Sequence, residues 1–214
     1  MSRVGILTPM ANPIVEAEMR SLLPIDYVVA RMVSEAKASE QRLIDYAEHA
    51  AETLRQFGGM PLAAIGFACT ASSYLVGRAA EERISAELPL PFLFAAAAVR
   101  AELGRRGARR LAVISPYPPP IHEAGLGYWR AAGFDILFDA RIEIGSADTR
   151  SIYALDGSAA LEPIDRARSA APDAILLAGT GMPTLAQIAP AAEPPILSSN
   201  YCLAKALMEA VDAG

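Results

Sequence analysis

One cysteine of this chain stands where a thiol could react. Cys69 follows the apolar residues 63–68 and precedes the hydroxyl-rich residues 70–73. The apolar run is typical of a buried strand, and the hydroxyl-rich segment is typical of a helix start. Unpaired amides and the positive end of a helix dipole stabilise a thiolate at such a position. We therefore expect Cys69 to have a lowered pKa and to act chemically, the alternative being a buried cysteine that packs as a small hydrophobe.

The pattern around Cys69 recurs in the second half of the chain without the cysteine. Residues 63–70 match residues 173–180, so Gly179 aligns with Cys69. Two flanking segments repeat in the same order, since residues 4–9 match 111–116 and residues 89–94 match 193–198. Three matches in one order predict a duplicated α/β unit. Ligands of open parallel sheets bind beyond the carboxyl ends of the strands, so we expect Cys69 and Thr180 on opposite walls of one cleft.

Neutral polar side chains follow several predicted strands. They are Asn12, Thr70, Tyr117, Thr180 and Asn200. Such amides and hydroxyls, together with backbone amides at helix starts, can bind a carboxylate or an enediolate without a metal. Each one could also be an ordinary cap or turn residue. We interpret them together as one pocket.

The elements that must position these residues alternate along the chain, with short strand patterns between longer helical patterns. The predicted strands are residues 4–7, 27–32, 62–68, 91–94, 111–114, 134–138, 174–178 and 195–198. The clearest predicted helices are residues 39–57, 72–88, 119–132, 161–171 and 200–211. Such alternation predicts parallel sheets joined by right-handed crossovers. We expect an α/β protein with two pseudo-symmetric lobes, each a parallel sheet flanked by helices, and an active site in the interlobe cleft.

The lobe boundary is predicted near the glycines at 104 and 107. The first lobe would span residues 1–104 and the second lobe residues 105–199. The terminal helix within residues 200–214 could pack back on the first lobe.

Composition excludes several classes of protein. The 214 residues are 53% hydrophobic and carry a net charge of -5, which argues against a surface for nucleic acid. Two cysteines and two histidines at scattered positions favour neither a disulfide framework nor a metal site, and we interpret Cys202, His49 and His122 as structural. A phosphate-binding signature is also missing around Gly179. We expect no cofactor, no signal peptide, no membrane contact and a cytoplasmic location.

Taken together, the motifs resemble the aspartate/glutamate racemase superfamily, in the branch that contains maleate cis-trans isomerase and arylmalonate decarboxylase. The motifs are Thr8-Pro9-Met10-Ala11-Asn12, Ala68-Cys69-Thr70, Ser115-Pro116-Tyr117, Ala178-Gly179-Thr180 with Thr184-Leu185, and Ser198-Ser199-Asn200. The resemblance spans almost the whole chain. It implies two α/β lobes, no cofactor, a small carboxylic acid or diacid as substrate, and a homo-oligomer as one option for assembly.

The resemblance also implies a cysteine in each lobe, and here Gly179 occupies the second position. Racemisation by two bases needs a donor and an acceptor on opposite faces, so it is the least favoured reaction. Isomerisation can begin with one nucleophile, and decarboxylation needs one proton donor. The family decarboxylase resembles the opposite arrangement, with glycine at the position of Cys69. Asn12, Cys69 and Tyr117 instead resemble the isomerase pattern, although Thr149 is the residue nearest to an asparagine that the isomerase uses.

We therefore predict a cofactor-independent isomerase of the maleate type. Cys69 would be the nucleophile and Tyr117 a hydrogen-bond donor or proton relay. The predicted substrate-binding residues are Asn12, Thr70, Thr149, Gly179, Thr180 and Asn200. The alternatives are an arylmalonate-type decarboxylase with Cys69 as proton donor, then an aspartate/glutamate-type racemase, and a non-catalytic protein that binds carboxylates.

Overall fold

The two halves of the chain form two parallel four-stranded sheets with the same topology. A computed structural model describes residues 3–213. The strand order is β2-β1-β3-β4 in the first sheet and β6-β5-β7-β8 in the second. The strands are β1 Val4–Pro9, β2 Tyr27–Met32, β3 Ala64–Phe67, β4 Phe92–Phe94, β5 Arg110–Ser115, β6 Asp135–Arg141, β7 Ala174–Leu177 and β8 Ile196–Ser198. Neighbouring strands are parallel throughout, so the predicted two-lobed α/β fold is confirmed.

Helices connect the strands and flank both sheets. They are α1 Ile14–Leu22, α2 Ser39–Glu48, α3 Ala50–Thr53, α4 Thr70–Glu87, α5 Ala95–Arg105, α6 Pro119–Ala131, α7 Leu161–Ser169 and α8 Ser199–Asp212. Three segments are 3-10 helices, namely Leu54–Phe57, Thr149–Ala154 and Gly157–Ala160. The central strands β1, β3 and β7 are buried along their whole length. Parallel sheets covered on both faces require such continuous apolar strands, which is why these runs do not alternate with polar residues.

The last helix follows the second sheet but packs on the first. Helix α8 contacts α1, α5 and strand β3. Gly66 in β3 allows the close approach, because a Cβ at this position would lie 3.0 Å from Leu207 Cδ1 and 3.3 Å from Leu203 Cδ2. The two lobes are therefore linked by an element that begins in one and is buried against the other.

Two predicted helices differ from the observed ones. The helix predicted over residues 39–57 is broken at His49, where the backbone leaves the helical region with φ −97° and ψ 19°. The helix predicted to begin at residue 72 begins at Thr70, and Gly77 interrupts it with a φ of +77°. A positive φ is readily adopted by glycine and costs other residues steric strain, so this interruption depends on Gly77.

Within residues 3–213, none of the helices has the length and apolar character needed to cross a membrane. The same residues contain no cluster of three or more His, Cys, Asp or Glu side chains that could hold a metal ion.

Candidate active site

The strands that precede Cys69 and Gly179 end in the same way. The amide of Ala68 donates to the Leu7 carbonyl at 2.8 Å, and the amide of Ala178 donates to the Ile114 carbonyl at 2.8 Å. The matched residues therefore occupy equivalent turns in the two lobes. The turns also contact each other, because Thr180 Oγ1 donates to the Ala68 carbonyl at 2.9 Å.

A small, partly enclosed cavity of about 30 Å³ lies between these turns. That volume holds one or two water molecules. Five of the predicted site residues line it, namely Asn12, Cys69, Tyr117, Thr149 and Thr180. The other lining residues are Pro9, Ala11, Arg42, Leu43, Tyr46, Ala71, Arg150, Ile152, Tyr153 and Gly181. Both lobes contribute to the lining, so the cavity is part of the interlobe cleft.

Cys69 caps the start of α4 and its sulfur accepts a hydrogen bond. Ser72 Oγ donates to Cys69 Sγ at 3.2 Å. Burial raises the pKa of the Cys69 thiol, while hydrogen bonds from the Ser72 hydroxyl and from the amides of Ala71 and Ser72 act in the opposite direction. The expectation of a lowered pKa is therefore wrong. Removal from water disfavours the thiolate more than the helix start stabilises it.

Tyr117 fills the place that a side chain at position 179 would need. A Cβ on Gly179 would lie 3.2 Å from Tyr117 Oη, and Gly179 has a φ of +130°. The ring of Tyr117 packs edge-on against Tyr74, with 6.1 Å between the ring centroids. Burial raises the pKa of Tyr117 well above its ordinary value. The phenol therefore stays protonated and can donate a hydrogen bond into the cavity.

Three predicted site residues lie behind the cavity wall. Thr70 Oγ1 donates to Ser199 Oγ at 3.2 Å, and the amide of Gly179 donates to the same oxygen at 3.0 Å. Asn200 Nδ2 donates to Glu18 Oε2 at 2.8 Å and to the Thr180 carbonyl at 3.2 Å. These three residues hold the backbone of the cavity wall in position, and none of the three lines the cavity.

Asn12 has a similar positioning contact although it lines the cavity. Its Nδ2 donates to the Thr180 carbonyl at 3.3 Å, and its Oδ1 accepts from the amide of Ile14 at 2.9 Å. The Thr180 peptide is thus held from both lobes, by Asn12 and by Asn200.

Sequence reasoning missed several residues of the cavity. The missed residues include Arg42, Tyr46 and Arg150, and Tyr153 lines the cavity beside them. Burial raises the pKa of Tyr46 to about 12 and that of Tyr153 further, so both phenols are donors at neutral pH. Arg42 and Tyr46 lie four residues apart on the buried face of α2, and nothing in an amphipathic pattern separates a cavity-lining side chain from a packed one.

Contacts between α2 and the second lobe close the cavity. Ser39 Oγ donates to the Ala147 carbonyl and accepts from the Thr149 amide, both at 3.2 Å. Arg42 Nη2 donates to Asp148 Oδ1 at 2.8 Å. We refer to these three bonds as the closing contacts.

Three solved structures from other proteins share this fold. Maleate isomerase from Pseudomonas putida S16 is 23% identical, with a TM-score of 0.82 over 99% of this chain and 93% of that chain. A maleate cis-trans isomerase mutant from Nocardia farcinica with a covalently bound succinylcysteine intermediate is 20% identical, with a TM-score of 0.83 over 99% of this chain and 93% of that chain. A liganded arylmalonate decarboxylase mutant, with one glycine changed to cysteine and one cysteine to serine, is 19% identical, with a TM-score of 0.81 over 100% of this chain and 94% of that chain.

A search among curated proteins gives no match. The sequence model of the arylmalonate decarboxylase family, in contrast, matches residues 4–212. This range contains both sheets, the turns at Cys69 and Gly179, and every residue that lines the cavity. The resemblance drawn from the motifs is confirmed, and the chain belongs to the arylmalonate decarboxylase family.

Proposed function

We propose that the protein is a cofactor-independent cis-trans isomerase of a small unsaturated dicarboxylic acid, with Cys69 as the nucleophile. The observation that carries this proposal is the chemical asymmetry of the cavity. Cys69 lines one side, while Gly179 stands at the equivalent position in the other lobe. A reaction that needs one sulfur nucleophile fits this arrangement, whereas a reaction that needs two opposed thiols does not.

Burial keeps the Cys69 thiol protonated while the cavity is closed, so the thiol first gives its proton to solvent while the closing contacts are apart. The Cys69 thiolate forms a carbon–sulfur bond to one alkene carbon, and the π electron pair moves through the other carbon into its carboxylate, giving an enediolate. The central bond is now single and rotates. The electron pair then returns, restores the double bond and expels the thiolate. No proton is gained or lost overall.

The cavity offers donors for the negative charge of the enediolate. Tyr117, Tyr46 and Tyr153 line it as protonated phenols. The residues that line it include neither aspartate nor glutamate. Preorganised donors in a site that excludes bulk water stabilise a developing anion strongly, so this lining suits an enediolate intermediate.

Substrate entry requires the cavity to enlarge. A four-carbon diacid does not fit in a volume that holds one or two waters. An outer groove of about 600 Å³ runs between the lobes and is lined by Ser39, Ala147 and Asp148, which make the closing contacts. We infer that the substrate enters through this groove when the closing contacts separate and that they re-form around it.

One of the related structures supports this chemistry. The isomerase from Nocardia farcinica carries a succinylcysteine, which is a cysteine sulfur bonded to a four-carbon diacid. The intermediate that we propose on Cys69 has the same carbon–sulfur bond, but its second alkene carbon belongs to an enediolate and lacks the added proton of a succinyl group.

Decarboxylation of a malonate is the second candidate, favoured by the match to the arylmalonate decarboxylase family. Cys69 would then protonate the enediolate that remains after carbon dioxide leaves. A carboxylate becomes neutral as it leaves, so surroundings that stabilise its charge oppose this step. Both charged residues in the lining are arginines, Arg42 and Arg150, and we therefore rank isomerisation first.

Proton NMR in heavy water tests both candidates in one experiment. The protein is incubated with maleate and, separately, with a prochiral arylmalonate. We expect maleate to be converted to the trans diacid without deuterium at the alkene carbons, and Cys69→Ser to abolish this conversion. Cys202→Ser is the matched control, because Cys202 is buried away from the cavity.

Other outcomes identify the alternatives. Loss of carbon dioxide with one deuterium at the α-carbon would establish the decarboxylase instead. A diacid that binds in a calorimeter but is neither isomerised, exchanged nor decarboxylated would show a non-catalytic carboxylate-binding protein. If Cys69→Ser isomerised maleate at the same rate as the parent protein, Cys69 would have no part in the mechanism.

A further inference from the structure

We propose that Arg42 binds a second carboxylate of the substrate and thereby selects dicarboxylates over monocarboxylates. This inference rests on the proposed function, since it assigns a substrate group to the same cavity. It begins from the charges of the lining, in which Arg42 and Arg150 are the charged residues. The cavity therefore presents positive charge to whatever enters it.

Arg42 is placed to interact with a ligand in a site that excludes water. Its side chain is 6% exposed, compared with 60% for Arg150. Screening by solvent weakens the attraction of an exposed cation for a ligand, whereas a buried cation retains it. Arg42 is therefore the stronger anion-binding residue of the two.

The guanidinium of Arg42 already binds a carboxylate from the outer side. Its Nη2 donates to Asp148 Oδ1 at 2.8 Å. Asp148 lines the outer groove and not the cavity, and its other carboxylate oxygen accepts from Arg150 Nε at 2.8 Å. The carboxylate of Asp148 therefore pairs with the guanidinium groups of both Arg42 and Arg150. These three residues together carry a net positive charge next to the cavity.

Other bonds of Arg42 hold its head group in place. Nη2 also donates to Ser39 Oγ at 3.1 Å, and Nη1 donates to the Ala36 carbonyl at 3.3 Å. A guanidinium has five N–H donors in a fixed plane, so a head group that is held on one side can still donate on another. Among residues 3–213, Nε of Arg42 has no hydrogen-bond acceptor.

The location of Arg42 assigns different roles to the two ends of the substrate. Cys69 and Tyr117 would act on the alkene carbons and on one carboxylate. Arg42 extends from the first-lobe helix α2 and would bind the other carboxylate. A monoamide of the same diacid has the same size but one charge fewer, so it would lose most of this interaction.

Binding to a protein that cannot turn over the substrate tests the inference. In Cys69→Ser protein, calorimetry is used to measure the dissociation constants of maleate and of its monoamide, maleamate. We expect maleate to bind about tenfold to hundredfold more tightly than maleamate, as a charge-assisted guanidinium–carboxylate bond predicts. Adding Arg42→Gln should reduce this ratio to about one, and Arg42→Lys should retain part of it.

A matched control separates local charge from overall charge. Arg83→Gln removes one positive charge from the exposed face of α4, where Arg83 pairs with Glu87 and is 58% exposed. This variant should leave the ratio unchanged. Circular dichroism and thermal melting establish that each variant is folded.

The outcomes distinguish this inference from the proposed function. A purely structural role for Arg42 predicts that Arg42→Gln weakens both ligands equally, and that result would overturn the inference while the proposed function stands. An Arg42→Gln variant that binds both ligands as tightly as its parent would overturn it as well. If neither ligand binds to Cys69→Ser, both the inference and the proposed function are wrong.

Discussion

The reactivity of Cys69 is set by two opposing effects of its surroundings. Burial in the closed cavity raises the pKa of the thiol, while the Ser72 hydroxyl and nearby backbone amides lower it. Burial is the larger effect, so the thiol is protonated at neutral pH in the closed state. Because only the thiolate is a strong nucleophile, the reactive fraction rises as the pH rises.

The pH dependence of alkylation measures this balance. In Cys202→Ala protein, which retains Cys69 as its single cysteine, we expect the rate of iodoacetamide alkylation to rise through a midpoint above about 8.5. Ser72→Ala should move the midpoint higher, because the sulfur loses the donor at 3.2 Å. Ser73→Ala is the matched control, since the Ser73 hydroxyl is equally buried but, within residues 3–213, makes no hydrogen bond to the sulfur. A rate that is constant between pH 6 and 8 would show that the thiol pKa is lowered, contrary to this account.

The backbone conformation at Gly179 disfavours a cysteine at this position of the second lobe. We expect Gly179→Cys to lower the free energy of unfolding by about 1–3 kcal/mol, because a side chain is strained at a φ of +130° and its Cβ would lie 3.2 Å from Tyr117 Oη. Gly127→Cys in α6 is the control, because nothing lies within 4 Å of a Cβ there. Urea denaturation compares the two variants. Equal stability of Gly179→Cys and the parent would mean that the turn relaxes without cost.

At the scale of elements, the predictable parts are those that a local pattern determines. The eight strands follow from apolar runs between turn residues, and the cysteine and glycine turns follow from the internal repeat. The 3-10 segment Thr149–Ala154 has no such pattern, and its place at the cavity depends on the hydrogen bond from the Thr149 amide to Ser39 of α2, which lies 110 residues earlier. In the sequence, Arg42 is one position of an amphipathic helix. The spacing of apolar residues along that helix does not predict that its side chain lines the cavity.

The closing contacts are the element-scale feature that controls access to Cys69. Ser39→Ala removes an oxygen that donates to Ala147 and accepts from Thr149. We expect alkylation of Cys69 by neutral iodoacetamide to accelerate about threefold or more at fixed pH, because opening exposes the thiol to reagent and to water. Ser146→Ala is the control, since the Ser146 hydroxyl accepts only from the Asp148 amide within its own loop. Equal rates for the two variants would show that these contacts do not limit access.

At the scale of the whole molecule, one buried carboxylate connects the lobes. Glu18 in α1 accepts hydrogen bonds from second-half residues, namely Asn200 Nδ2 at 2.8 Å, Thr184 Oγ1 at 3.1 Å, the Leu185 amide at 3.1 Å and the Thr184 amide. The side chain of Asn200 also holds the Thr180 carbonyl beside the cavity. The geometry of the cavity therefore depends on a contact between lobes that lies outside it.

Replacing Glu18 by glutamine measures how strongly the lobes are coupled. Glutamine would place an N–H group where Glu18 has an accepting oxygen, and this group would face the donors of Asn200, Thr184 and Leu185. We therefore expect the free energy of unfolding to fall by about 1–3 kcal/mol. Trp129 is the single tryptophan and is buried in α6 of the second lobe, where its ring also packs edge-on against Tyr74 of the first lobe. Its fluorescence therefore reports on the second lobe and on this contact between the lobes, while circular dichroism reports on the whole chain. Both signals should shift to the same lower urea concentration.

Glu16→Gln is the matched control for this experiment, because Glu16 lies on the same helix but is 36% exposed and pairs with Arg31 at the surface. Exposed ion pairs contribute little, so this variant should stay within about 0.5 kcal/mol of the parent. A fluorescence midpoint that remains at the parental value in Glu18→Gln, while the dichroism shifts, would show that the lobes unfold separately. If the fluorescence and dichroism midpoints shift together, a change in α1 of the first lobe has also destabilised the lobe that carries Trp129. The two sheets and the cavity between them would then unfold as one cooperative unit.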